Sequence, residues 1–164
     1  MLGVFCEPNF YKQLELRSTD FGQGVFTLEA LSPGEEILCF GGPRGTMADM
    51  KDLEHSIQIG RNLFLGPSGR MDDYINHSCW PNCGIRLAGE RLVLVAIEAI
   101  ASGREVTFDY ATCLGPEDDW VMRCGCRTGR CRGLISALSL PPETLERYRA
   151  LDVLPFYIFP EAAR

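Results

Sequence analysis

Short apolar runs alternating with polar positions recur along the chain, and glycine or proline interrupts them every few residues. Residues 25–28 and 36–40 are β-type runs separated by the turn Ser32-Pro33-Gly34. Residues 56–59 alternate as a half-buried strand does, and 62–65 offer a hairpin partner across Gly60-Arg61. A second hairpin joins 84–87 to 91–97 around Ala88-Gly89-Glu90, and 106–108 form a further strand after the turn Ser102-Gly103. Helical patterning is rarer. Residues 48–54 predict about two turns, and 142–151 predict a helix whose prolines and Glu143 sit at its start, where a helix N-terminus accepts them. The pattern predicts a mostly β fold with short helices. It shows no βαβ alternation, and its one Gly-x-Gly, Gly22-Gln23-Gly24, lacks the third glycine and long helix of a dinucleotide fingerprint.

Length and composition refine this picture. The 164 residues favour one domain large enough to bury a core, and 46% hydrophobic with 23% charged residues is an ordinary globular balance. No apolar run approaches the roughly 20 residues that span a bilayer, and Glu7 and Pro8 interrupt the start where a secretory signal needs an unbroken apolar stretch. The expectation is a chain without a membrane partner in a reducing compartment. That means cytoplasmic in a bacterium, and nuclear or chromatin-associated in a eukaryote or as an exported effector. The net charge of −6 bears on partners, because nucleic-acid binding needs a basic surface to neutralise phosphates. An acidic chain fits a basic, lysine-rich peptide better, with nucleic acid a partner only indirectly.

Three segments carry candidate chemistry. Eight cysteines in a reducing setting do not suggest a disulfide framework, and Cys124, Cys126 and Cys131 crowd into eight residues of a glycine-containing loop. Three thiolates at this spacing point to zinc, which takes four soft ligands. Arg123, Arg127, Arg130 and Arg132 surround the sulfurs and favour their ionisation. On spacing alone the fourth ligand is open among Cys79, Cys83, Cys113, a histidine or water. The segment from Tyr74 to Asn82 packs seven side chains able to hydrogen bond or bind metal into nine residues, a density that must be satisfied internally or by a ligand. A Cys/His nucleophile pair is the weaker reading of it, since adjacent loop residues rarely face each other. The third segment runs from Gly103 to Tyr110. It places Phe108 and Tyr110 on one side of a strand by period-two alternation.

Together these segments resemble the SET-domain family of protein lysine methyltransferases, over about residues 20–135. Asn76-His77-Ser78-Cys79-Trp80-Pro81-Asn82 resembles the family's asparagine-histidine-serine-cysteine signature. Glu105-Val-Thr-Phe-Asp-Tyr110 resembles its catalytic-tyrosine strand, and Gly22-Gln-Gly24-Val-Phe26 its first motif. Cys124, Cys126 and Cys131, followed by Arg132-Gly133, are similar to the post-SET zinc segment. The resemblance implies a β-clip fold in which two C-terminal segments form a pseudoknot. It divides the chain into an N-terminal extension (1–19), a SET core (20–112), a post-SET zinc segment (113–135) and a C-terminal helix with an apolar tail (136–164).

The resemblance also implies S-adenosylmethionine as cofactor. Gly22, Gln23 and Gly24 would line its methionine end, and Tyr74, Asn76 and His77 the adenosine side. Leu134 stands where many members place a tryptophan on the adenine. Zn2+ would be held by Cys79, Cys124, Cys126 and Cys131. Tyr110 is the implied catalytic residue, and Phe108 occupies the position that sets how many methyl groups are added, a phenylalanine implying di- or trimethylation. The expected substrate is a lysine in a basic protein, a histone among the candidates. Two features depart from the family: Asp72-Asp73 precede Tyr74 where many members carry an arginine, and no cysteine-rich pre-SET region precedes the first motif. Docking on the body, covering the peptide groove and forming a dimer are the three readings of the apolar tail. The competing functions are a catalytically silent peptide-binding module and a zinc-dependent nucleic-acid binder.

Overall fold

The structure, a computed structural model, describes residues 5–116, 118–137, 139–155 and 157–158. Strands β1 (Phe5–Cys6), β2 (Asn9–Phe10), β3 (Leu14–Thr19) and β4 (Gly22–Thr27) open the chain. They are followed by β5 (Glu36–Cys39), β6 (Gly42–Gly45), β7 (Ile57–Gly60), β8 (Leu63–Leu65) and β9 (Asn76–His77). The remainder comprises β10 (Cys83–Ala88), β11 (Arg91–Ala96), β12 (Thr107–Phe108), β13 (Met122–Arg123), β14 (Leu134–Ile135) and one α-helix, α1 (Pro142–Ala150).

The hydrophobic pattern acts where it is strongest. Alternation in 83–96 folds into the β10–β11 hairpin with Gly89 in the left-handed region at its turn (φ 64°), and β5 and then β2 extend that sheet in the order β10-β11-β5-β2. Its fully buried Ile37, Leu38, Ile85, Leu92 and Leu94 make the centre of the core. A second sheet runs β1-β6-β8-β7, with Asn62 (φ 55°) turning the β7–β8 hairpin. The apolar run at 25–28 is only the end of a longer ribbon, in which β3 and β4 pair from Thr19↔Gly22 to Leu14↔Thr27. The two-residue β1 and β2 and the largely polar β3 carry little apolar alternation, so the pattern along the chain did not mark them. They pair with strands of the body all the same.

The helix expected over 48–54 does not form. A single 3-10 turn spans Met47–Asp49, and Met50 is already extended. Asp49 accepts from the backbone N–H and hydroxyl of Thr46 at 2.9 and 2.7 Å, and Asp52 accepts from His55 N–H at 3.2 Å. Short polar side chains that bond their own backbone compete with helix propagation. The helix at the other end forms as α1. Tyr148 is buried with Ile97, Val153 and Leu154, and Val153 lies so close to β10 that a Cβ on Gly84 would meet its Cβ at 2.5 Å. Val153 and Leu154 therefore dock on the body, while Phe156 and 159–164 of the apolar tail lie outside the described residues.

One pairing places the site. β9 and β12 run parallel, with Asn76 opposite Thr107 and His77 opposite Phe108, while the other pairs among the described strands are antiparallel. Val106 N–H also donates to Val25 O at 2.9 Å, so three distant segments meet beside Tyr110.

Candidate active site and cysteine cluster

Tyr110 follows β12 directly and opens a 3-10 turn, Tyr110–Cys113, that Asp109 caps by accepting from Ala111 N–H at 3.1 Å. The Tyr110 ring lies among aromatic neighbours, its centroid 5.0 Å from Phe108, 5.3 Å from His77 and 6.3 Å from Trp120. Its hydroxyl donates to Ile75 O at 2.8 Å. Burial holds its pKa well above the ordinary phenol value, so it is a neutral phenol at physiological pH. Because the O–H is spent on Ile75, the oxygen lone pairs are left to accept.

His77 connects this ring to the cysteines. Its Nδ1 accepts from Tyr110 N–H at 3.1 Å, so the ring proton sits on Nε2, which faces Cys79 Sγ at 3.3 Å. Burial pushes the imidazole down to about 4 despite nearby Asp109, with Arg132 adding to the depression. A neutral ring with this tautomer donates to the sulfur, as residues beyond the ligands of metal sites commonly do.

The Asn76 side chain is bonded within the fold. Its side chain donates to Gln23 O at 3.0 Å and Glu105 Oε1 at 2.7 Å, which fastens the start of β4 to β9. A Cβ on Gly24 would fall 2.2 Å from Glu105 Oε1 and 2.9 Å from Asn76 Nδ2, so only glycine lets these chains approach. Gly22 and Gln23 are exposed alongside, and Tyr74 and Leu134 are 42% and 52% exposed.

The sulfurs of Cys79, Cys124, Cys126 and Cys131 all lie within 4.8 Å of one another. A tetrahedron with Zn–S of about 2.3 Å has edges of about 3.8 Å, and Cys79 Sγ to Cys124 Sγ is 3.7 Å. Burial pushes Cys79 up to about 11, and Cys124 higher still. Burial also opposes ionisation of Cys126, but hydrogen bonds with Thr128 and neighbouring groups bring it to about 6. Four thiolates at this distance need a cation between them, and the donor set suits zinc. β13 and β14 pair to close the base of the loop, reinforced by Cys124 N–H to Gly133 O at 2.9 Å. Cys83 and Cys113 lie outside the cluster. Cys83 Sγ donates to Asn82 Oδ1 at 3.3 Å and Cys113 Sγ to Tyr110 O at 3.0 Å. Three of the four loop arginines grip side chains elsewhere: Arg127 pairs with Asp20, Arg130 stacks on Trp80 and Arg132 holds Asp109.

Residues 46–111 match the family profile described as SET domain. Over that stretch the chain is similar to a SET domain. Its curated relatives include the histone-lysine N-methyltransferase trithorax of Drosophila virilis, 28% identical over 132 residues, which cover 71% of this chain and 3% of that protein. Another is the histone-lysine N-methyltransferase ash1 of Drosophila melanogaster, 31% identical over 139 residues, covering 74% of this chain and 6% of that one. The chain thus spans only a few per cent of these relatives' length. Among solved structures it is similar to KRYPTONITE in complex with mCHG DNA and SAH, at TM-score 0.63 and 26% identity over 76% of this chain and 29% of that chain.

Within the matched stretch and its flanks, several site residues carried no motif of their own. Asp109 is buried beside Tyr110, and Arg132 grips it with two bonds of 2.6 Å. Asp72 is buried and accepts from Gly41 N–H at 2.9 Å and Ser68 Oγ at 2.6 Å. Trp120 packs against Tyr110 from outside the family match. A signal for Asp109 was present, since an acid between Phe108 and Tyr110 is buried only with partners, whereas Asp72 stands beside Asp73 in a 3-10 turn and carried none. Which partners they take depends on tertiary contacts from distant segments.

Proposed function

We propose that this chain is an S-adenosylmethionine-dependent protein-lysine N-methyltransferase, and that its substrate is a lysine in a histone or another basic protein. The observation that carries the reading is Tyr110: a half-buried neutral phenol at the junction of β9 and β12, its hydroxyl proton committed to Ile75 and its lone pairs free. Gly22, Gln23, Tyr74, Asn76, His77 and Leu134 would hold the cofactor, His77 through its backbone because its ring is buried, and the cofactor when bound supplies an electrophilic methyl on a sulfonium. Retention of these motif residues and the names of the relatives support the class. Cys79, Cys124, Cys126 and Cys131 would hold zinc and so fix the loop that ends at Leu134.

A lysine with a solution pKa near 10.4 must lose a proton before its nitrogen can attack. Phe40, Phe108, Tyr110 and Trp120 form apolar walls that desolvate an ammonium and lower that pKa, and the proton leaves to water. Tyr110 is too weak an acid to act as a base at pH 7. It accepts from the amine and aims the nitrogen lone pair, a contribution of orientation. Phe108 leaves no hydroxyl to hold a water in the channel, which fits addition of two or three methyl groups. The chain would then act on chromatin if its source is eukaryotic.

The test is radiolabelled S-adenosylmethionine with a panel of histones and other basic proteins, followed by mapping of the modified lysine. Tyr110→Phe is expected to keep fold and cofactor binding while turnover falls at least a hundredfold, in the range of a lost catalytic group. Near wild-type turnover would remove Tyr110 from its role. A chain that binds S-adenosylhomocysteine but methylates nothing would be the silent peptide-binding module.

A further inference from the structure

Tyr148 of α1 reaches the site by a route that no motif marks. Its hydroxyl donates to Asp109 Oδ2 at 3.0 Å, the same oxygen that accepts from Arg132 Nη1 at 2.6 Å. Asp109 Oδ1 accepts from Arg132 Nη2 and Ala111 N–H. Four bonds thus fill the acceptor sites of one carboxylate that is 1% exposed. Arg132 in turn gives its backbone N–H to Cys79 Sγ at 3.3 Å, and Leu134 lies two residues on.

We propose that Tyr148 is a positioning residue of the methyl-transfer site, acting through Asp109 and Arg132 on the loop that carries Leu134. A buried ion pair holds its geometry only when its remaining lone pairs are satisfied. The phenol supplies that last donor, so α1 and the loop are locked together at the carboxylate beside Tyr110. The lock itself uses no metal and is a second fastener, joined to the cysteine cluster through the Arg132 backbone. Packing does not account for the hydroxyl, since a phenylalanine would fill the space among Ile97, Val153 and Leu154 equally well.

The proposal rests on the methyltransferase reading, and the experiment separates the two. S-adenosylhomocysteine affinity is measured by calorimetry on the zinc-containing protein for wild type, Tyr148→Phe, Arg132→Lys and the double variant. Tyr148→Phe is expected to weaken binding about fivefold to tenfold, the scale of one hydrogen bond to a charged group. In the Arg132→Lys background, where the two-pronged grip is already lost, it should add less than about twofold. Amide exchange at Leu134 and Ile135 should quicken in Tyr148→Phe relative to β10 and β11, a readout that remains if binding is too weak to measure. Unchanged affinity and exchange in Tyr148→Phe would overturn the proposal, as would the same fold-loss in both backgrounds. Wild-type protein that binds no S-adenosylhomocysteine would overturn the methyltransferase reading and this proposal with it.

Discussion

At the residue scale the site is a set of side chains whose free atoms are few. Tyr110 has only its lone pairs to offer, His77 has spent both nitrogens, and Asn76 has given its amide to Gln23 and Glu105. Phe108 is buried with its ring against both Tyr110 and Phe40, so a hydroxyl added to it would enter a packed aromatic cluster. Phe108→Tyr is therefore expected to shift the product from di- or trimethyl-lysine toward monomethyl-lysine, read by mass spectrometry of the modified peptide. An unchanged product ratio would deny Phe108 that role. Local spacing marked Cys124, Cys126 and Cys131, while the family resemblance singled out Phe108, Tyr110 and Cys79. Neither marked Asp109 as a hub, because three of the four bonds it accepts come from residues 23 to 39 positions away.

At the element scale, the strongest alternations formed as expected and the weakest signals did not. The hairpins at 57–65 and 83–96 and the helix α1 follow from pattern and turn residues. The 48–54 helix was lost to Asp49 and Asp52, whose local bonds no periodicity records. Asp72 shows the same dependence on context. Asp72→Ala leaves the Gly41 N–H buried without its acceptor and is expected to cost about 1–3 kcal/mol in denaturant unfolding, whereas Asp72→Asn keeps an acceptor and costs less. The loop between β13 and β14 depends on its cysteines in a comparable way. One zinc per chain is expected by elemental analysis, and Cys79→Ser or chelation should weaken S-adenosylhomocysteine binding about tenfold or more, typical of a lost metal-site group. Affinity that survives complete zinc removal would make the cluster a support for the loop alone.

At the scale of the whole molecule, segments from both ends converge on the middle. β3 and β4 bring Gly24 to Glu105, while α1 brings Tyr148 to Asp109. A chain ended before Leu140 loses Tyr148, Val153 and Leu154 from a buried cluster. It is expected to unfold roughly 10 °C lower in a thermal melt, from a net loss of about 3–5 kcal/mol. The parallel β9–β12 pairing has a consequence in time. Cys79 lies 45 residues ahead of Cys124, and at a synthesis rate of about 5–20 residues per second its thiol waits ~2–9 s for the first of its three partners to be made. For about the first two thirds of that wait β9 has no partner either, because β12 has yet to be made. The nascent chain thus carries an unliganded, unburied cysteine, and a reducing environment would keep that sulfur fit for metal until the loop carrying Cys124 arrives.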